Sequence, residues 1–167
     1  MKRLLAILTL LAMGVCACAE GASFAIRNGV SWGMSPEEVL EAEGNPTHEL
    51  SEQDDDGFQT LEIEGVTQGG ALCDIEYVFL YEGLFMTTIE YDTEETDVTY
   101  DQIEAALTKS FGAPGDISDD IKAVLSLDDV SELEGVSSWK LEGDTHVWLM
   151  EDADEHTIEI MLVDLSK

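Results

Sequence analysis

The chain is poor in positive charge, in cysteine and in long apolar runs. Seven lysines and arginines stand against 37 aspartates and glutamates, a formal net charge of −30. Such a surface repels phosphate backbones, which excludes nucleic acid as a partner, and it disfavours charge-driven docking on anionic lipid. Basic proteins, basic peptides and divalent cations are the compatible ligands, and solubility alone also accounts for the charge. Of three cysteines, Cys16 and Cys18 lie near the N-terminus, which leaves Cys73. If the N-terminal segment is removed, no intramolecular disulfide can form, and the fold must stand on its core. The longest apolar run, residues 4–15, is too short for a bilayer, which needs about 20 residues.

Catalytic signatures are missing too. There is no HExxH, GxSxG, P-loop or dinucleotide fingerprint. His48, His146 and His156 are scattered, and none is marked as a base for Cys73. Acids are so numerous that no pair stands out as general acid and base. Glu52-Gln53-Asp54-Asp55-Asp56-Gly57 partly imitates a calcium loop, but Ile63 stands where a bidentate glutamate belongs. The expectation is a protein that is not an enzyme, with no catalytic residue, metal site or cofactor.

What the chain does have begins with an export signal. Lys2 and Arg3 precede the apolar run, and Ala17-Cys18-Ala19 offers small residues for a peptidase cut before Glu20. Residues 1–19 are then a signal peptide and 20–167 one exported domain. A second version competes. Val15-Cys16-Ala17-Cys18 resembles a bacterial lipoprotein box with Cys18 as the lipidated residue, the one route by which a membrane enters. Both versions place the protein outside the cytoplasm, secreted or in the periplasm or cell envelope.

The apolar patterns then repeat. Ser35-Pro36-Glu37-Glu38 reads as a capped helix start, and Gly44-Asn45-Pro46 as its stop. Strand patterns follow at 60–64, 75–82 and 84–92, with Glu82-Gly83 as a hairpin signal. Thr99 and Gln102 open a second helix carrying Tyr100, Ile103, Leu107 and Phe111 at helical spacing, closed by Gly112-Ala113-Pro114. A short helix near 121–127 and strands at 138–141, 145–151 and 156–164 complete the pattern. Asp92 and Asp164 end the last strand of each half. The expectation is an α+β fold: two tandem α-β-β-β repeats, about 28–98 and 99–167, forming one antiparallel sheet with both helices on one face.

The segment opened by Gly33-Met34-Ser35 and closed by Val39, Gly44 and Pro46 resembles the helix signature of the SmpA/OmlA-type outer-membrane assembly lipoproteins. The tandem layout looks more like the β-lactamase inhibitor protein. The second half lacks the Gly-Met-Ser opening and has Asp97-Val98-Thr99 instead. The resemblance implies a fold superfamily. It carries over no partner-binding residue, because these positions are caps and core.

Alternation sorts strand residues onto two faces. The helix-covered face takes Leu61, Ile63, Ile75, Tyr77, Phe79, Phe85, Ile89, Val147, Leu149, Ile158, Ile160 and Leu162. The other takes Glu62, Glu64, Asp74, Glu76, Thr88, Glu90 and Glu159, together with Val78, Leu80, Met86, His146, Trp148, Met150, Met161 and Val163. Trp148, Met150, Met86, Met161 and His146 are thus candidate contacts for a protein partner, with acids favouring a basic one. Cover by residues 115–135 or 24–32 is the competing reading. The expected function is a non-enzymatic protein-binding or envelope-assembly module. An inhibitor of an extracytoplasmic enzyme is the alternative.

Overall fold

The computed structural model describes residues 26–115 and 135–166. The export signal, with Cys18, Ala19 and Glu20, and the expected helix at 121–127 lie outside the described residues. Among the described residues two α-helices and seven strands follow in order. They are α1 (Pro36–Ala42), β1 (Glu49–Leu50), β2 (Phe58–Gln68), β3 (Ala71–Leu80), β4 (Gly83–Asp92), α2 (Tyr100–Phe111), β5 (Gly135–Lys140), β6 (Thr145–Asp152) and β7 (Thr157–Asp164). The strands form one antiparallel sheet in the order β1-β2-β3-β4-β7-β6-β5. The architecture is α+β. Among the described residues no helix is long and apolar enough to cross a membrane.

Local chemistry explains the helix ends. The Ser35 hydroxyl accepts the Glu38 N–H at 3.3 Å, and the Glu38 carboxylate accepts the Ser35 N–H at 2.9 Å. These reciprocal bonds satisfy donors that a helix start leaves free. Past the last turn, Gly44 takes φ +82°, and the Asn45 N–H reaches back to the Leu40 carbonyl. At the end of α2, the Gly112 carbonyl accepts the Trp139 indole N–H at 2.9 Å, which ties the helix to β5.

One face of the sheet packs under both helices. Val39 of α1 and Ile103 and Leu107 of α2 join a single cluster with Leu61, Ile75, Tyr77, Phe79, Val147, Leu149, Ile158 and Ile160. The segment before α1 joins the same cluster. Ile26 and Val30 are buried in it, the Trp32 indole N–H donates to Thr145 Oγ1 at 2.9 Å, and the Met34 carbonyl accepts the Leu84 N–H. The described part of 24–32 therefore covers the helix face and not the opposite one.

One expectation about faces needs correction. Phe85 does not join the core under the helices. Val78 pairs with Met86 but Phe79 with Leu84, so β4 bulges by one residue there. Leu84 takes the buried place, and Phe85 turns to the second face with Met86. One extra residue flips every side chain beyond it. Asp92 and Asp164, the last residues of β4 and β7, differ in burial. Alternation sets Asp92, exposed, beside Glu90, while Asp164, buried, shares the parity of Leu162.

The segment before α1 is also held by charge. Arg27 Nε lies 2.9 Å from Glu43 Oε1, with both side chains almost fully buried. Glu43 also accepts the Tyr77 hydroxyl at 2.5 Å and the Asn28 amide at 2.9 Å. Burial, and then the Glu43 carboxylate, push the Tyr77 hydroxyl well above its ordinary pKa.

Candidate functional site

The second face divides into two halves of opposite character. On β2, β3, β4 and β7, the residues between core positions are Glu62, Asp74, Glu76, Thr88, Glu90 and Glu159. The register places like charges directly opposite one another: Glu49 faces Glu62, Glu62 faces Glu76, Asp74 faces Glu90, and Glu90 faces Glu159. Opposed side chains of an antiparallel pair stand about 5 Å apart at Cβ, and like charges there destabilise the sheet. A shallow groove of about 250 Å³ runs over this half, lined by Glu62, Glu64, Asp74, Glu76, Thr88 and Glu90.

The electrostatics follow from that geometry. Burial, then Glu62 and Glu90, raise the Glu76 carboxyl above its ordinary value. Burial, then Asp74, raise Glu90, and burial, then Glu90, raise Glu159. Among the described residues the ion pairs are Arg27–Glu43, Lys140–Asp144 and His156–Glu94, and none touches this half. A folded-state carboxyl pKa above the unfolded one means that the native state binds more protons. Its stabilisation is full below the ordinary value of 4.5 and is lost as pH rises through the raised values. At low salt, the melting temperature should therefore rise as pH falls from neutrality toward 5 (near the ordinary carboxylate range). A melting temperature that falls steadily over that interval would contradict the assigned repulsion.

The other half is closed. Trp148 is fully buried, Val163 is 1% exposed, Met150 7% and Met161 8%, with Phe85, Met86, Val136 and Leu165 packed around them. His146 is also buried, its ring 6.2 Å from the Trp148 ring, and Met86 is half-buried. Trp148, Met150, Met161 and the half-buried Met86 gather in a second packed cluster, with the buried His146 ring beside Trp148. Alternation assigned their face; it carried no information on what lies above it.

Other candidates also find their places. Asp54 Oδ1 accepts the N–H groups of Asp56 and Phe58, so the calcium-like loop is a turn satisfied by its own backbone. Among the described residues no three histidine, cysteine, aspartate or glutamate side chains converge as metal ligands would. Cys73 lies buried within β3, and burial pushes its thiol up to about 11, far from the thiolate a nucleophile needs. His146 lies near the start of β6, whereas His156 sits in the turn that joins β6 to β7. His48 bonds the Pro46 carbonyl.

Two features escaped the sequence. β1 is too short to leave a pattern. The β3–β4 turn centres on Tyr81 and Glu82 and not on Glu82-Gly83, because Gly83 already pairs with Leu80. Comparison with family models, with curated proteins and with solved structures found no match.

Proposed function

We propose that this chain is an exported, non-enzymatic binding module whose acidic half-sheet docks a basic protein surface. The observation that carries the reading is the like-with-like carboxylate register across β1, β2, β3, β4 and β7. A merely soluble surface has no need to oppose acids within a sheet, where each pairing lowers stability. A cationic partner removes that repulsion on binding, so the same arrangement favours the complex. Strain kept at a binding surface and relieved by the ligand is a common compromise between stability and function.

The duplication belongs to the same proposal. Leaving aside the two-residue β1, each helix precedes three strands, each ends at Gly-x-Pro, and the last strands of the two sets, β4 and β7, lie side by side. We read the fold as two α-β-β-β units joined edge to edge. The N-terminal segment supports export, either cut before Glu20 or lipidated at Cys18. An extracytoplasmic enzyme with a basic rim is one partner of the required chemistry, which is where the inhibitor reading meets this surface.

The test is calorimetric titration of a decalysine peptide into the wild-type chain and into the Glu76→Gln/Glu90→Gln/Glu159→Gln variant. The wild-type affinity should fall steeply as salt is raised. The variant should bind on the order of tenfold more weakly. Equal affinities would remove the acidic half-sheet from the binding account.

A further inference from the structure

The β3–β4 turn carries an anomaly that the acidic half-sheet does not explain. Its two central residues, Tyr81 and Glu82, have φ of +49° and +70°. A two-residue hairpin turn with both φ positive is normally made by asparagine, aspartate and glycine. A bulky residue there is strained. Tyr81 is nevertheless 75% exposed, so burial of its ring does not offset the strain.

The surroundings give the ring a setting. The Tyr81 N–H donates to the Gly57 carbonyl at 2.9 Å, and the ring lies so close over Gly57 that a Cβ there would meet Tyr81 Cε1 at 2.5 Å. Phe58, next along β2, is 41% exposed and packs on Phe85 with ring centroids 5.9 Å apart. Phe58 thus meets the end of the second face, and the Tyr81 ring lies over its chain neighbour Gly57. Asp56 and Glu82 flank it in the chain, both exposed.

We propose that this turn is a docking knob for a basic protein partner, with Tyr81 and Phe58 as the platform for an arginine or lysine side chain and Asp56 and Glu82 as its flanking carboxylates. The choice of occupant rests on charge: exposed aromatic side chains with carboxylates next to them in the chain, in a sequence with 37 acids and 7 bases, favour a cation over any anionic or neutral group. An aromatic anchor with two side-chain torsions loses little entropy on docking, which suits a hot spot. The proposal shares with the functional reading that the partner is basic, but it does not depend on the half-sheet being covered.

The probe is nonaarginine, with nonacitrulline as its uncharged counterpart. The informative variant is Tyr81→Asn, since asparagine tolerates positive φ and keeps the turn. It should melt at or above the wild-type temperature and bind nonaarginine roughly three- to tenfold more weakly, with nonacitrulline bound by neither. Phe58→Leu, which keeps the apolar contact with Phe85 but loses the ring face, should weaken binding in the same direction. Unchanged affinity in Tyr81→Asn overturns the proposal. So does a Tyr81→Asn melting temperature several degrees below wild type, which would make the ring a structural prop. Absence of wild-type binding overturns it as well. If Tyr81→Asn loses affinity and the triple glutamine variant does not, the half-sheet reading fails and the turn stands. The reverse pattern removes the turn and leaves the half-sheet.

Discussion

Trp148→Ala should cost about 3–5 kcal/mol of unfolding free energy, the range for truncating a buried tryptophan. In a chain of this size that is a fall of roughly 10 °C or more in melting temperature. Trp148 has no exposed surface, and Met150, Met161 and Val163 close around it, with Phe85 and Met86 at the edge. Removing the indole leaves a cavity that a sheet cannot collapse to fill. Trp148→Phe should cost distinctly less. It keeps an aromatic ring and discards an indole N–H that is buried without a partner, so no hydrogen bond is lost. Thermal melts of the two variants check this. An alanine variant as stable as the wild type would mean that this half of the face is open, as a docking surface would be.

Glu43→Ala should destabilise by a similar amount, about 3–5 kcal/mol, through electrostatics instead of volume. Glu43 is the shared acceptor for Arg27, Tyr77 and Asn28. Without it the Arg27 guanidinium is a buried charge with no counterion, and the Tyr77 hydroxyl is a buried donor with no acceptor. The segment before α1 would then be held to the sheet only by its remaining ties, among them Trp32 to Thr145 and Met34 to Leu84. The double variant Arg27→Met/Glu43→Ala should recover part of the loss, because it removes the orphaned charge with the pair. Denaturant unfolding of both variants measures the coupling. A double variant less stable than the single one would show that Arg27 contributes by something other than its pairing with Glu43.

Much of the helical half of this fold could be read in the sequence because its signals are local. Ser35 with Glu38, and Gly44 before Pro46, are capping chemistry that acts within a turn and a half of helix. The strand faces were legible for the same reason wherever alternation ran unbroken, as at Leu61-Glu62-Ile63 and Ile158-Glu159-Ile160. Phe85 was misplaced because a bulge is a property of two strands, and one strand's pattern does not contain it. The acids of the half-sheet were recognised as sharing a face. Their opposition to one another was not legible, since register is set by pairing across the sheet. The closing of Trp148 has the same character. Alternation says which way a side chain points, and tertiary packing alone says whether anything meets it. Arg27 left one faint signal, the one arginine beyond Arg3 in an acidic chain, and Tyr81 left none, because nothing in its own identity predicts a positive φ.

The account's central claim is that the half-sheet keeps its carboxylates unpaired at a cost in stability and uses them for a cationic partner. The most direct measurement takes both quantities from one sample: the melting temperature of Glu76→Gln/Glu90→Gln/Glu159→Gln at neutral pH and low salt, and its affinity for decalysine, each beside the wild type. The account predicts a higher melting temperature together with weaker binding. A variant that melts at or below the wild-type temperature and binds decalysine equally well would contradict it.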